Sequence, residues 1–301
     1  MKFGIIEIGA TNTKTYIYDN GELINLGNTY IAFKNNFNIN NKHLLASDIE
    51  KLDELINNLK KDVDEIYAFG TSIFRKLEDS EKEEFIKRMK ELHGIDFKVV
   101  TANEESEYTV KGVIDNIDYT QKMAVVIGGG GSTEIAIIDN KQIVRKINLD
   151  FGALDIVEAF PDLKDDITKT SFDEMIDYTM NLFDDIGESV DTLVLAGGDY
   201  IYFYETVGYE MQQNTLYKDK NQPYMIDFAR SDEYDHDILS KSLEEIVKKC
   251  PDKAGWWEGS RGMRFCMNAV ARKLNVKYII PTRINMLIGL ANEIKIQKEI
   301  D

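Results

Sequence analysis

Two short stretches carry the residue types that phosphate chemistry needs. Gly9-Ala10-Thr11-Asn12-Thr13-Lys14 and Gly129-Gly130-Gly131-Ser132-Thr133 each set glycine beside hydroxyls. Glycine lets backbone N–H groups close on an anion, and Ser or Thr hydroxyls add hydrogen bonds. Neither stretch is a P-loop, because GxxxxGK[ST] is absent, and neither is a GxGxxG turn that opens a helix. Two such loops facing each other across a cleft would clamp a phosphate chain from both sides. Arg75, just after Thr71-Ser72, either binds phosphate oxygens in a bidentate manner or pairs on the surface with Asp79. Glu104 and Glu105 begin a helical stretch, where carboxylates also suit the positive end of a helix dipole. Glu134, just past the second loop, either holds Mg²⁺ directly or through water, or is an exposed strand carboxylate. Gly197-Gly198 either lets a phosphate or base approach or makes a tight strand-to-helix turn. Trp256-Trp257 and Tyr200, Tyr202, Tyr204 and Tyr209 read as packing or interface, and Asp162–Asp166 as solvated surface.

The elements that position these groups follow from hydrophobic period and turn chemistry. Lys2–Ile8 and Lys14–Tyr18 read as strands flanking the first loop, and Asp19-Asn20-Gly21 reads as a hairpin turn, because Asn-Gly accepts positive φ. A third strand begins near Leu23. Ser47-Asp48-Ile49-Glu50 reads as a capping box opening a helix with Ile49, Leu52, Leu55, Ile56 and Leu59 on its apolar face. Glu65–Phe69 and Phe97–Thr101 read as strands. Between them a helix opens at Ser80–Glu83, turns Phe85, Ile86, Met89 and Leu92 inward and stops at Gly94. Asn103–Ile114 reads as helix. In the second half, helices are expected near Ser171–Phe183, Asp235–Lys249, Gly259–Leu274 and Ile284–Lys298, with strands at Asp191–Leu195 and Lys277–Ile280. The order is α/β with a mixed sheet.

The pattern repeats. Ile8-Gly9-Ala10-Thr11-Asn12-Thr13 followed by Asp19-Asn20 is echoed by Ile127-Gly128-Gly129-Gly130-Gly131-Ser132-Thr133 followed by Asp139-Asn140. Strand, glycine and hydroxyl loop, strand and Asp-Asn turn recur at long spacing, which implies two similarly folded domains. The boundary is expected near residues 116–122, dividing the chain into 1–119 and 120–301, with the final helix able to pack back on the N-terminal domain.

Composition narrows the class. The chain has 301 residues, enough for two domains, and 36 Lys and Arg against 53 Asp and Glu give a formal charge of −17. That surplus disfavours nonspecific binding to nucleic acid or an anionic membrane. It leaves room for an anionic ligand held by a local patch of amides and cations. No run approaches the ~20 apolar residues needed to cross a bilayer, and no signal peptide is read at the N-terminus. Cys250 and Cys266 lack CxxC spacing, so reduced thiols in the cytoplasm are expected. His43, His93 and His236 are scattered, which disfavours a zinc site.

Together these blocks resemble the exopolyphosphatase / guanosine pentaphosphate phosphohydrolase (Ppx/GppA) family of the actin–sugar kinase–Hsp70 superfamily. Gly129-Gly130-Gly131-Ser132-Thr133-Glu134 resembles its GGGSTE motif, and Asn103-Glu104-Glu105-Ser106-Glu107 with Gly112-Val113 resembles its acidic block. Gly70-Thr71-Ser72-Ile73-Phe74-Arg75 is similar to its AT(S/A)xxR motif, Gly152-Ala153 with Glu158 and Phe160 to its LGA block, and Gly197-Gly198 to its third glycine motif. The resemblance implies duplicated actin-like ATPase (ribonuclease H-like) domains with an interdomain cleft. It implies Mg²⁺-assisted hydrolysis of a terminal phosphoanhydride, on polyphosphate or guanosine penta/tetraphosphate, by a homodimer. Carried over by position, Glu105 would activate water. Gly9, Thr11, Asn12, Thr13, Lys14, Arg75, Gly129, Gly130, Gly131, Ser132 and Thr133 would hold phosphates, and Glu7 and Glu134 would bind metal.

Three positions depart from that pattern. Glu7 stands where the family has aspartate, Val126-Ile127-Gly128 offers no carboxylate before the second loop, and Asp199 stands where the family has threonine. Loss of the second-loop aspartate is expected to weaken Mg²⁺ or shift it toward Glu7 and Glu134. The alternative function is a noncatalytic phosphate or nucleotide sensor that kept the loops. A third is a sugar kinase-like ATP-dependent phosphotransferase, since Ile8 through Lys14 also resembles the DxGGTNTK signature, although no sugar-binding aspartate block is found.

Overall fold

A computed structural model of the chain describes residues 2–10, 12–33, 37, 43–116, 121–163, 170–214, 224–249 and 254–300. The chain divides into two compact units. One comprises Met1–Tyr108 with Met286–Asp301, the other Thr109–Asn285.

The first unit is built on β1 (Lys2–Ile8), whose sequence is apolar because both faces are covered. It pairs antiparallel with β2 (Asn12–Asp19), which pairs antiparallel with β3 (Glu22–Tyr30). On its other side it runs parallel to β4 (Ile66–Gly70), and β4 runs parallel to β5 (Phe97–Val99). The order is β3-β2-β1-β4-β5. Strand alternation assigns the faces. Ile6 and Ile8 enter one core with Leu52 and Ile56 of α1 (Ala46–Leu59) and Phe85 and Met89 of α2 (Asp79–His93). Phe3 and Ile5 point the other way, toward Leu287, Leu290 and Ile294 of the final helix. Each of those three side chains contributes about 1.5–3 kcal/mol by burial.

The second unit repeats the arrangement. β6 (Met123–Gly128), β7 (Thr133–Asp139) and β8 (Gln142–Leu149) form an antiparallel meander, and β9 (Thr192–Ala196) runs parallel to β6. The sheet continues through β12 (Tyr278–Pro281) and β11 (Tyr224–Asp227) to β10 (Gln212–Gln213), giving the order β10-β11-β12-β9-β6-β7-β8. Its core, β8-β7-β6-β9-β12, has the same three antiparallel and two parallel strands as the first sheet. The second unit is thus a structural repeat of the first, each an α/β domain on a mixed sheet.

The helices described in this unit are α4 (Ala153–Ala159), α5 (Phe172–Met180), α6 (Tyr200–Val207), α7 (Phe228–Ser240), α8 (Leu243–Lys249) and α9 (Ala254–Lys273). They complete the chain-order set with α3 (Ala102–Asp115) and α10 (Met286–Ile300). Gly262 of α9 admits α4 at backbone distance, since a Cβ there would overlap Ala153 O. α9 is also pinned to α7 by a buried ion pair. Arg264 Nε donates to Asp235 Oδ1 at 2.6 Å, and Arg264 Nη2 donates to Tyr204 and Ser231. Burial pushes the Asp235 carboxyl up, against the opposing pull of Arg264.

The structure corrects several expectations. Ser47 is not a cap: α1 begins at Ala46 behind Leu45, because Glu81 grips the Leu44 amide at 2.6 Å and sets the entry earlier. Leu92 is exposed, and His93 is buried in its place against Asp53. The stretch Asp235–Lys249 is two helices, since Ser242 and Glu245 form a capping box that starts α8. The two compact units divide inside α3, and residues 117–120, where the expected boundary falls, lie outside the described ones. A continuous helix carries no compositional mark of such a division. Tyr200 and Tyr204 are packed in the core, as is Trp257. Burial pushes the Cys266 thiol up to about 12 and keeps it protonated, while Cys250 lies outside the described residues. Among the described residues, no helix is long and apolar enough to cross a membrane.

Candidate functional site

In the first unit the β1–β2 turn is closed by Gly9 N donating to Asn12 O at 3.0 Å. A Cβ at Gly9 would come within 2.8 Å of that same carbonyl, so the turn needs glycine. Glu7 and Lys14 are cross-strand partners. Lys14 Nζ reaches Glu7 Oε2 at 3.0 Å and Oε1 at 3.2 Å, and the Glu7 side chain is only 10% exposed. Burial opposes the Lys14 charge, but the Glu7 carboxylate more than compensates and lifts the ammonium above the usual lysine value, with Glu105 adding to the effect. Thr11 lies outside the described residues. Thr13 is fully buried and cannot present its hydroxyl to a ligand in this conformation.

Arg75 and Glu105 come together although 30 residues apart in sequence. Gly70 ends β4 against Phe97 and Phe74, where a Cβ would clash. Thr71 N then donates to Ile8 O at 3.1 Å, tying this segment to the first glycine turn. Ser72, at φ +36°, opens the 3-10 turn Ser72–Lys76 in the left-handed region. From there Arg75 Nη1 donates to Val100 O at 3.0 Å and to Glu105 Oε2 at 2.9 Å. Both side chains remain partly exposed, which leaves them open to a ligand. The surface pair with Asp79 is not formed; Asp79 pairs with Lys82.

The two adjacent glutamates separate cleanly. Glu104 caps α3, accepting from Thr101 N at 2.8 Å while its own N–H donates to Thr101 Oγ1 at 3.1 Å. The Lys98 ammonium, at 2.8 Å, and the Thr101 amide pull the Glu104 carboxyl down to about 2. Glu105 has no part in the cap and faces Arg75.

In the second unit the β6–β7 turn repeats the first, with Gly129 N donating to Ser132 O at 2.8 Å. The turn bond aligns Glu7 with Ile127, Thr13 with Thr133 and Lys14 with Glu134. Thr133 is fully buried and donates to Phe151 O at 3.0 Å, so it braces the loop and does not reach solvent. Ser132 Oγ donates to Glu134 Oε1 at 2.8 Å. Beneath the loop, Ala153 N and Leu154 N of α4 donate to Gly129 O and Gly130 O at 3.0 and 2.8 Å. With its carbonyls so engaged, the loop leaves the Gly130 and Gly131 amides without an intrachain partner among the described residues. Asp155 Oδ2 caps this helix from Gly152 N at 2.8 Å. Sequence reasoning missed this shelf because its bonds run through backbone atoms and carry no residue-type signature.

The third glycine motif sits beside the second loop. Gly197 adopts φ +87°, and its N–H donates to Ile284 O at 2.8 Å; a Cβ there would meet Ile127 at 2.9 Å. Asp199 caps α6 through Tyr202 N at 2.8 Å and pairs with Arg283 at 3.1 Å. A tight strand-to-helix turn is therefore its local role.

Mg²⁺, implied by the resemblance, would need carboxylates. Glu7 is neutralised by Lys14, the repeat-equivalent Ile127 is apolar, and Glu134 is engaged by Ser132. Among the described residues, no three or more His, Cys, Asp or Glu converge. The one buried carboxylate of the first hairpin is thus already matched by a cation, which opposes a divalent ion at Glu7.

Solved structures share the whole fold. A Ppx/GppA family member from Aquifex aeolicus superposes with a TM-score of 0.80 at 18% identity, covering 99% of this chain and 98% of that one. An exopolyphosphatase from Cytophaga hutchinsonii gives 0.72 at 15% identity, covering 98% and 97%. In sequence, the model of the Ppx/GppA phosphatase family matches residues 5–250, and the chain belongs to that family. A bifunctional 3-dehydroquinate synthase/phosphatase from Fusobacterium nucleatum is 29% identical over 156 residues, which cover 49% of this chain and 22% of that protein. The match thus spans about a fifth of that relative's length.

Proposed function

We propose that the protein removes the terminal phosphate from a polyphosphate-type substrate, inorganic polyphosphate or guanosine pentaphosphate, by attack of water. The observation that carries this reading is the Arg75–Glu105 pair at 2.9 Å. It sets a fork-shaped phosphate donor and a carboxylate base within one hydrogen bond. In the substrate complex the terminal phosphoryl oxygens take the Arg75 guanidinium, and Glu105 is released to accept a proton from water. The water oxygen bonds to phosphorus as the bridging P–O bond breaks, and the shortened chain leaves with the electron pair. Within the second unit taken by itself, the Gly130 and Gly131 amides are donors of the preorganised kind that phosphate oxygens accept from.

The sensor reading is favoured by a specific observation as well: Glu7 is tied to Lys14 and its counterpart is Ile127. Phosphate release from inorganic polyphosphate, guanosine pentaphosphate, ATP, and glucose with ATP separates the readings. Turnover of either of the first two supports hydrolysis. Tight binding of them without turnover supports the sensor, and phosphorylated glucose supports the kinase.

A further inference from the structure

The first glycine hairpin contains its own cation, and this bears on how the site handles a polyanion. Lys14 Nζ lies within 3.2 Å of both oxygens of Glu7, so the pair is two-pronged and not a passing surface contact. The pairing is built into the strand register, which sets Glu7 opposite Lys14. Glu7 shares the β1 face of the buried Phe3 and Ile5 and has little access to water with which to trade partners. A divalent cation at Glu7 would have to displace the ammonium or sit against it, like charge beside like charge. The repeat-equivalent pair in the second unit is Ile127 opposite Glu134, and an isoleucine cannot ligate a cation. Of the residues read as phosphate-binding in the first unit, Lys14 pairs with Glu7 and Arg75 with Glu105.

We propose that Lys14 is the resident cation of the phosphate site and that this protein binds the terminal phosphate of its substrate without a divalent metal. The inference rests on the reading that the first hairpin binds phosphate. It adds that the counter-charge comes from a lysine already positioned by both oxygens of Glu7. Glu7 is then a positioning residue: it fixes Lys14 and does not itself meet the phosphate. The ammonium keeps donors to spare, since it has three and Glu7 accepts two.

Two measurements decide the matter. Tripolyphosphate binding is followed by calorimetry in excess EDTA and again with Mg²⁺. The expected wild-type affinities agree within about threefold, because a charged donor already present makes metal redundant. Lys14→Met weakens binding in EDTA by about ten- to a hundredfold, as expected for a lost hydrogen bond to a charged group. Lys14→Arg retains most of the affinity and controls for misfolding. Binding by the wild type only when Mg²⁺ is present overturns the proposal while leaving the phosphate reading intact. No binding under either condition ends both.

The second measurement needs no phosphate ligand. Free Mn²⁺ is titrated by electron paramagnetic resonance against the wild type, Glu7→Gln, Lys14→Met and the double variant. Wild type and Glu7→Gln are expected to take up the same number of ions. Lys14→Met is expected to gain one that the double variant lacks, because removing the ammonium exposes a bare carboxylate. A wild type that holds one Mn²⁺ more than Glu7→Gln contradicts the proposal directly.

Discussion

Gly152→Ala tests how the second glycine loop is held. A Cβ at Gly152 would stand 2.7 Å from Ser132 N and 2.8 Å from Gly130 C, and closer still to Gly129 O. All three neighbours are backbone atoms, so no side chain can swing away. The start of α4 must retreat, which stretches Ala153 N to Gly129 O and Leu154 N to Gly130 O, now 3.0 and 2.8 Å. Each of these bonds is worth about 1 kcal/mol net, and overpacking adds about 1–3 kcal/mol. The sum is about 3–5 kcal/mol, or a fall in melting temperature of about 6–20 °C for a unit of this size. The assay is thermal unfolding by circular dichroism, paired with tripolyphosphate binding, which is expected to weaken by at least about tenfold as the Gly130 and Gly131 amides lose their alignment. Gly131→Ala is the internal control. It lies in the same loop, and nothing stands within 4 Å of its Cβ, so its melting temperature should match the wild type. A Gly152→Ala protein with unchanged melting and unchanged binding refutes the idea that α4 supports the loop. So does equal destabilisation by Gly131→Ala.

Other outcomes come from the same geometry. Asp235→Asn leaves Arg264 buried with an uncompensated charge and should cost about 3–5 kcal/mol in urea unfolding; a change under about 1 kcal/mol would mean the pair is solvated. Glu104 has a folded carboxyl near 2, below the ordinary value of 4.5. Its capping contribution is therefore present above pH 4.5 and is lost as pH falls toward 2. Glu104→Gln should flatten that part of the acid unfolding curve, and an unchanged curve would count against the cap. Leu290→Ala should destabilise the first unit by about 2–5 kcal/mol by leaving a cavity beneath α10.

Much of this architecture is written locally. The two glycine hairpins are legible because Gly9 and Gly129 close the same four-residue turn, and Asn20 and Gly21 take the positive φ that their types accept. The chain-terminal helix announces itself by its apolar face. What escapes local reading depends on register or on distant partners. Thr13 and Thr133 have the residue type for phosphate binding, yet strand alternation turns both inward. The Ser47 capping signal is overridden by Glu81, far along the chain, whereas the equally good signal at Ser242 is used. The acidic pair illustrates both cases: Glu104 answers to Thr101 three residues away, and Glu105 to Arg75 on another element. The Glu7–Lys14 bridge requires the hairpin register as well as the residue types.

The central claim is that Glu105 serves as base and Arg75 holds phosphate in a working phosphoanhydride hydrolase. The direct measurement is steady-state phosphate release from inorganic polyphosphate by the wild type and by Glu105→Gln, with polyphosphate affinity recorded for both. Turnover by the wild type is expected, with a loss of about 10²–10⁴-fold in kcat for Glu105→Gln. Polyphosphate affinity of the variant should equal or exceed that of the wild type, because the amide no longer competes for Arg75. Wild-type kcat in Glu105→Gln would contradict the claim.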